Sequence, residues 1–140
     1  MIPAALVCNF VKKPQKTVSV ALVVLHLHLS DMGRFAWESK VFPELNVGYP
    51  GDTRYWKQDE IRELIQYAKL RGVRVVPEIE MSTHAKALYP LKKTQGLQFC
   101  NDSFHVMLFD DPHGVTEGVL KKLVTEMASV FDDDVLHVGM

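Results

Sequence analysis

Three short apolar segments of this chain carry ionisable residues at or near their C-terminal ends, and this arrangement most constrains the fold. The segments are Leu22–Leu29, Val73–Ile79 and Val135–Val138. The acids and histidines near these ends or within five residues after them are His26, His28, Asp31, Glu78, Glu80, His84 and His137. Apolar strands with polar residues gathered at their carboxyl ends are typical of the mouth of a parallel α/β sheet or barrel.

Two acids in the second segment support a functional interpretation. Glu78 and Glu80 lie on the same face of an extended strand, roughly 6–7 Å apart along it. Two neighbouring acids beside a histidine are unfavourable for folding stability, unless they bind a ligand or transfer a proton. Taken alone, the segment fits a helix N-cap with solvated acids equally well. Because the pattern recurs on three strands, a functional site is the better interpretation.

Hydrophobic periodicity predicts helices over Gln58–Arg71 and Thr116–Phe131. The predicted buried stripes are Ile61, Leu64, Ile65 and Ala68 in the first helix, and Val119, Leu120, Leu123, Val124, Met127 and Phe131 in the second. Ser30–Trp56 is predicted as a long loop, and Ser82–Asp111 as irregular apart from a weak strand over Phe104–Phe109. An order of strand, helix, strand, loop, helix and strand gives right-handed crossovers and adjacent parallel strands.

Length and composition exclude several classes of protein. The chain has 140 residues, 47% of them apolar, which suits one packed domain. A complete (β/α)8 barrel has about 250 residues. We divide the chain into an N-terminal segment of unclear role, residues 1–20, and an α/β unit, residues 21–140. The net charge of −1 gives no sign of a nucleic-acid partner or an acidic membrane surface.

Targeting and cofactor signals are weak. No segment is a convincing signal peptide, and none is long and apolar enough to span a membrane. Cys8 and Cys100 follow no metal-ligand spacing, so we expect no metal or cofactor. Asn101 opens an N-glycosylation sequon, which would be used only in a secretory compartment.

Four motifs are spread over the chain from Ala21 to Gly139. They lie in Leu25–Asp31, in Phe35 with Glu38–Leu45, in Ile65–Glu78 with His84, and in Val130–Gly139. In this order and spacing they resemble the catalytic domain of glycoside hydrolase family 20, the β-N-acetylhexosaminidases. The resemblance implies that residues 21–140 form part of a (β/α)8 TIM barrel, strands two to four, with parallel strands joined by crossover helices.

The resemblance also implies a function. Such enzymes remove terminal N-acetylglucosamine or N-acetylgalactosamine from glycans with retention, and the substrate's own acetamido oxygen attacks the anomeric carbon. An Asp-Glu pair holds the acetamido group and acts as general acid and base. Asp31 and His84 match a pair that supports this Glu, and Glu80 and His137 match substrate-binding positions. A lysosomal, vacuolar or secreted location is implied as well.

The sequence departs from the family pattern in three places. Where the family has His-x-Gly-Gly-Asp-Glu, His137–Met140 reads His-Val-Gly-Met, so neither catalytic carboxylate is among the 140 residues. We therefore expect this chain to be inactive by itself. Ile79–His84 stands in place of Phe-Asp-Thr-Pro-Gly-His, which makes the acid at Glu80 one methylene longer. The arginine of the family's first strand has no counterpart in residues 1–17.

Two other interpretations stay open. His26 and His28 form a His-x-His pair at a strand end, as in metal-dependent amidohydrolase barrels, although structural histidines are the favoured interpretation. The chain could also be a non-catalytic fragment, whose open sheet edges would need a partner to cover them. The aromatic residues of the long loop fit either sugar stacking or local packing; they are Phe35, Trp37 and Tyr55.

Overall fold

The computed structural model describes residues 23–47, 54–101, 106–108 and 111–139. The predicted boundary at residue 20, Cys8 and the ends of the weak strand over Phe104–Phe109 lie outside the described residues. In the part of the chain that is described, none of the helices has the length and apolar character needed to cross a membrane.

The described residues form six strands and three α-helices. The strands are β1 (Val24–His28), β2 (Ser30–Asp31), β3 (Arg34–Phe35), β4 (Arg74–Glu78), β5 (Phe99–Asn101) and β6 (Val106–Leu108). The helices are α1 (Gln58–Lys69), α2 (Pro90–Thr94) and α3 (Val115–Ala128).

Strands β1 and β4 are parallel neighbours, as the sequence predicts. Their register pairs Val24 with Arg74 at one end and His28 with Glu78 at the other. Strand β4 is one residue shorter than predicted at each end, and β1 ends one residue earlier than predicted, at His28. Because the strands are parallel, the ionisable residues that end them lie at the same edge of the sheet.

The third predicted strand is present as a single bridge rather than a strand over Val135–Val138. His137 pairs in parallel with Glu78, and its N–H donates to the carbonyl of Pro77 at 2.9 Å. The N–H of Val135 donates instead to the Asp133 carboxylate at 3.0 Å, so it does not extend a ladder. The predicted order of the three parallel segments is confirmed, and the predicted length of the third is wrong.

The two crossover helices are confirmed, with different ends. In α1, Ile61, Ile65 and Ala68 are buried while Leu64 is only half-buried. The helix ends at Lys69, and Gly72 follows with a φ of 70°, a left-handed conformation suited to glycine. Helix α3 ends three residues earlier than predicted, at Ala128, and Phe131 stays buried beyond that end.

The long loop over Ser30–Trp56 contains structure that the sequence does not reveal. Strands β2 and β3 pair antiparallel, and Trp37 forms a bridge with Trp56. Trp37 is 0% exposed and Phe35 is 2% exposed, so both pack in the core and neither can stack on a sugar. For these two aromatic residues, local packing is the correct interpretation.

A buried carboxylate on α3 fastens this loop. Glu126 accepts hydrogen bonds from the Ser39 hydroxyl at 2.7 Å, from the Gln58 side-chain amide at 3.0 Å and from the backbone N–H groups of Lys40 and Val41. All four partners are donors, which satisfies an ionised carboxylate in an apolar surrounding. The loop that follows β3 is thereby tied to both crossover helices.

The described residues within Ser82–Asp111 contain more regular structure than predicted. It contains a 3₁₀ helix over Ala85–Leu88, the short helix α2 and the antiparallel pair of β5 and β6. Leu88 and Leu91 are 0% exposed and join the common core, which explains why this region is ordered despite its weak periodicity.

Several valines are exposed at the two outer sides of the parallel segments. Val23 is 61% exposed beside β1, while Val135 and Val138 are each 50% exposed on the opposite side. Apolar surface at a sheet edge favours association. That a partner covers these edges stays a prediction.

Candidate active site

Glu78, the last residue of β4, lies at the centre of three histidines. Its Oε2 is 2.8 Å from Nε2 of His26 and 4.0 Å from Nδ1 of His28, and its Oε1 is 2.9 Å from Nδ1 of His137. The parallel register explains the cluster. His28 is paired with Glu78, His26 is on the same face of β1, and the His137 bridge flanks Glu78 on the other side.

The carboxylate of Glu78 is buried, whereas the three imidazoles are each about half exposed. A buried carboxylate needs hydrogen-bond donors to stay ionised. His26 and His137 each place a ring nitrogen within hydrogen-bonding distance, one at each oxygen. That the β1 histidines are packed or hydrogen-bonded structural residues stays a prediction; both are exposed.

Nδ1 of His137 lies near two groups, a hydrogen-bond acceptor and a hydrogen-bond donor. It is 2.9 Å from the Glu78 oxygen, to which it must donate, and 3.1 Å from the backbone N–H of Gly139, from which it must accept. A single ring nitrogen satisfies only one of these partners at a time.

Glu80 follows β4 and is also buried. Its backbone N–H donates to the hydroxyl of Ser30 at 2.8 Å, and its Oε1 lies 3.6 Å from Nε2 of His28. Among the described residues, its Oε2 has no hydrogen-bond partner. Burial, and then the neighbouring carboxylate of Glu78, raise the pKa of Glu80, and this rise is opposed by His28 and His84.

Gly139 packs against the side chain of Glu80. A Cβ added to Gly139 would lie 2.0 Å from Oε2 and 2.6 Å from Cδ of Glu80. Gly139 also has a φ of 70°, which disfavours residues with a side chain. Both facts require glycine at this position.

Asp31 and His84 form a second pair at the same edge. Oδ1 of Asp31, at the end of β2, lies 3.4 Å from Nδ1 of His84. His84 precedes the 3₁₀ helix Ala85–Leu88 and has a φ of 52°, the positive-φ non-glycine residue of the described backbone. A left-handed histidine is uncommon and is retained where the surroundings hold it in place, which is frequent at functional sites.

The predicted clustering of these side chains at one edge of the sheet is confirmed. Asp31, Glu78, Glu80 and His84 lie together at the carboxyl side of the parallel strands, and the charges of the other three all act on Glu80. His137 joins them through Glu78. The supporting role of Asp31 and His84 and the substrate-binding role of Glu80 and His137 stay predictions.

Sequence reasoning missed two contributors to the site and the central position of a third. Glu78 was included in the cluster but not as its centre, and Ser30 and Gly139 were not assigned at all. The central position of Glu78 was indicated only by its spacing from Glu80. Two acids on one face of a strand need hydrogen-bond donors from the neighbouring strands. Nothing local indicated that Ser30 or Gly139 would contact Glu80.

The described residues include two sets of side chains that could hold a metal ion. They are His26, Glu78 and His137, and His28, Glu78 and Glu80; within each set the ligand atoms lie within 4.8 Å of one another. The two histidines of the His-x-His pair thus fall in separate sets that share Glu78. Chemically, the cluster combines hydrogen-bond donors and acceptors that can bind hydroxyl and amide groups.

Comparison with known proteins assigns the family. The chain matches the model of "Glycosyl hydrolase family 20, catalytic domain" over residues 11–140. Beta-hexosaminidase A of Caenorhabditis briggsae is 32% identical over 139 residues, a match that covers 94% of this chain and 25% of that protein. The beta-hexosaminidase subunit beta of Mus musculus is 30% identical over 120 residues, covering 83% of this chain and 22% of that protein.

Solved structures agree with this assignment. The Flavobacterium johnsoniae chitobiase is 26% identical with a TM-score of 0.68, and the match covers 82% of this chain and 18% of that one. The Streptomyces plicatus N-acetyl-beta-hexosaminidase is 28% identical with a TM-score of 0.67, covering 83% of this chain and 26% of that one. These matches confirm a partial (β/α)8 barrel and do not support the amidohydrolase interpretation. The chain therefore belongs to glycosyl hydrolase family 20 and forms part of its catalytic domain.

Proposed function

We propose that this chain forms one side of the active site of a β-N-acetylhexosaminidase, which removes terminal N-acetylglucosamine or N-acetylgalactosamine from glycans. The observation that carries the proposal is the convergence of Asp31, Glu80 and His84 at the carboxyl ends of neighbouring parallel strands. Enzymes with a (β/α)8 barrel place their active sites at this face. The chain spans about a quarter of the length of the curated relatives it matches, so the proposal concerns a longer protein.

In this proposal, Asp31 and His84 act on the general acid rather than on the sugar. The carboxylate of Asp31 orients the imidazole of His84 through their 3.4 Å contact. The charge of such a pair beside the catalytic Glu would set the pKa at which that Glu protonates the leaving oxygen.

Glu80 and His137 are proposed to contact the substrate. Among the described residues, Oε2 of Glu80 is a buried acceptor without a partner, and a sugar hydroxyl or an acetamido N–H would satisfy it. His137 connects to the same site through Glu78. Its Nδ1 lies within hydrogen-bonding distance of both Glu78 and the N–H of Gly139, the glycine that packs against Glu80.

The test begins with the transcript that encodes this chain. If its reading frame continues past Met140 into the Asp-Glu pair, the longer product is assayed with chromogenic N-acetylglucosaminide and N-acetylgalactosaminide, in a host that lacks its own hexosaminidase. Asp31→Asn and His84→Ala should each lower kcat about tenfold or more, with a smaller change in KM, because both residues act through the general acid.

His113→Ala is the matched control, because this exposed histidine lies outside the cluster. A product that contains both acids but hydrolyses neither substrate would contradict the proposed function. A rise in KM without a fall in kcat would show that Asp31 and His84 bind the substrate instead. The 140-residue chain, assayed in parallel, should match the buffer blank, and turnover that Glu80→Gln abolishes would contradict that expectation.

A further inference from the structure

Three side chains from three neighbouring strand segments point at one another across the sheet. Nε2 of His26 is 2.8 Å from one oxygen of Glu78, and Nδ1 of His137 is 2.9 Å from the other. The two imidazole rings approach each other as well, with their centroids 4.9 Å apart. All three ligand atoms lie within 4.8 Å of one another. This is close enough for one ion to contact the three of them, at the ~2.0–2.2 Å distances of zinc–nitrogen and zinc–oxygen bonds.

The types of ligand select a class of metal. Two neutral imidazoles and a carboxylate suit zinc and other first-row transition metals, whereas magnesium and calcium prefer oxygen ligands throughout. Three protein ligands would leave a coordination position for water or a bound molecule, as in zinc sites that are not purely structural. The side chains of His26 and His137 are 49% and 46% exposed, so an ion can reach the ligands from solvent.

The charges around this site favour a cation. Glu78 and Glu80 are 7% and 6% exposed, and both carboxylates are at the same strand end. Two buried carboxylates side by side repel each other, and a divalent ion on Glu78 would relieve that repulsion. Nε2 of His28 contacts Glu80 at 3.6 Å, so Glu80 and His28 would form a second layer around the ligands.

We propose that His26, Glu78 and His137 bind one divalent transition-metal ion, for which Zn²⁺ is the natural occupant. The proposal does not depend on the glycosidase activity, and the ion is given no part in it. Spacing along the sequence cannot reveal such a site, because each ligand comes from a different strand segment. The His-x-His pair points to the wrong combination, since His28 belongs to the other set.

The test measures zinc binding to the purified 140-residue chain by isothermal titration calorimetry, in buffer without chelators. We expect saturable binding of one ion per chain. Substituting Co²⁺ should give the intense visible absorption of a four- or five-coordinate site. His26→Ala, Glu78→Gln and His137→Ala should each weaken zinc binding at least about tenfold. The control is His113→Ala, which removes an exposed histidine outside the cluster and should leave the affinity unchanged.

His28→Ala distinguishes the two sets. A smaller loss of zinc affinity than that of His26→Ala is expected of a residue in the second layer, whereas a larger loss would overturn the assignment in favour of His28, Glu78 and Glu80. Circular dichroism shows whether each variant is folded. If a variant unfolds, NMR of the unmodified chain still tests the proposal, since zinc should shift the imidazole signals of His26 and His137 and leave that of His113 in place. No saturable binding up to about 1 mM zinc, or a shift of His113 alone, would overturn it.

Discussion

Gly139 lies so close to Glu80 that a Cβ on the glycine would sit 2.0 Å from the carboxylate oxygen Oε2. The same oxygen lacks a hydrogen-bond partner among the described residues, and burial raises the pKa of the carboxyl group. The backbone at Gly139 therefore packs against this oxygen without giving it a hydrogen bond. This contact joins the third parallel segment to the end of β4 at the site itself.

Gly139→Ala should destabilise the protein more than Gly72→Ala does. Both glycines have a φ of 70°, but a Cβ at Gly72 would meet nothing within 4 Å. Gly72→Ala is thus the matched control for the backbone conformation alone, which costs about 1–2 kcal/mol. The collision with Glu80 should add about 1–3 kcal/mol, measured as the free energy of unfolding in urea.

A double-mutant cycle completes this test. In a Glu80→Ala background, the excess cost of Gly139→Ala should become smaller, because the colliding carboxylate is gone while only the Cα of residue 80 stays near. Equal losses for Gly139→Ala and Gly72→Ala in the original background would mean that the close packing against Glu80 contributes nothing.

Asp111→Asn should lower stability in a way that depends on pH. The carboxylate of Asp111 accepts the N–H groups of Thr116, Val115 and His113 at the start of α3, and the Thr116 bond above all holds the pKa of Asp111 at about 2. The pKa in the folded state is thus below its ordinary value of 3.8. The stabilisation is present above pH ~4 and is lost as the pH falls towards ~2.

The difference in unfolding free energy between the original chain and Asp111→Asn should therefore be constant above pH ~5 and shrink below pH ~4. Chemical denaturation at a series of pH values measures it. Asp59→Asn serves as control, because Asp59 is 87% exposed in its pair with Arg62 and such a pair contributes little. A difference that grows as the pH falls would show that the sign is wrong.

Glu126→Gln should destabilise the protein by about 1–3 kcal/mol. The four donors that converge on this buried carboxylate require an acceptor with full negative charge, and an amide brings a donor of its own. Urea unfolding measures the loss. Glu117→Gln, on an exposed position of the same helix, should change stability by less than about 0.5 kcal/mol. Comparable losses for the two variants would show that Glu126 is not the anchor of the long loop.

Local patterns were enough to predict the parallel order of the strands. Helix periodicity located α1 and α3, and apolar runs located β1 and β4, because each pattern is set by which face of its own element is buried. The acids and histidines at the strand ends could then be placed at one edge by topology alone. Asp31 and His84 were brought together by this argument, although they are far apart in the sequence.

Features that depend on distant partners could not be predicted in this way. Glu126 falls in the buried stripe of α3, and its partner Ser39 is 87 positions away, so no local pattern reveals their hydrogen bond. The β2–β3 hairpin has only two residues in each strand, too short for any alternation to be visible. The third parallel segment was predicted too long, because its apolar residues did not show that the Asp133 side chain takes the N–H of Val135.

His84→Gly should be more stable than His84→Ala by about 1 kcal/mol. Both variants lose the imidazole and its 3.4 Å contact with Asp31, so they differ only in how well they tolerate the φ of 52° at this position. Glycine adopts a left-handed conformation without the clash that a Cβ produces. Unfolding in urea gives the two free energies. The difference in unfolding free energy between His84→Gly and the unmodified chain is then the loss of the imidazole contact minus the gain from the relieved backbone strain. Equal stabilities of the glycine and alanine variants would show that residue 84 leaves the left-handed region once the histidine is removed, and that the imidazole itself holds the strained turn in place.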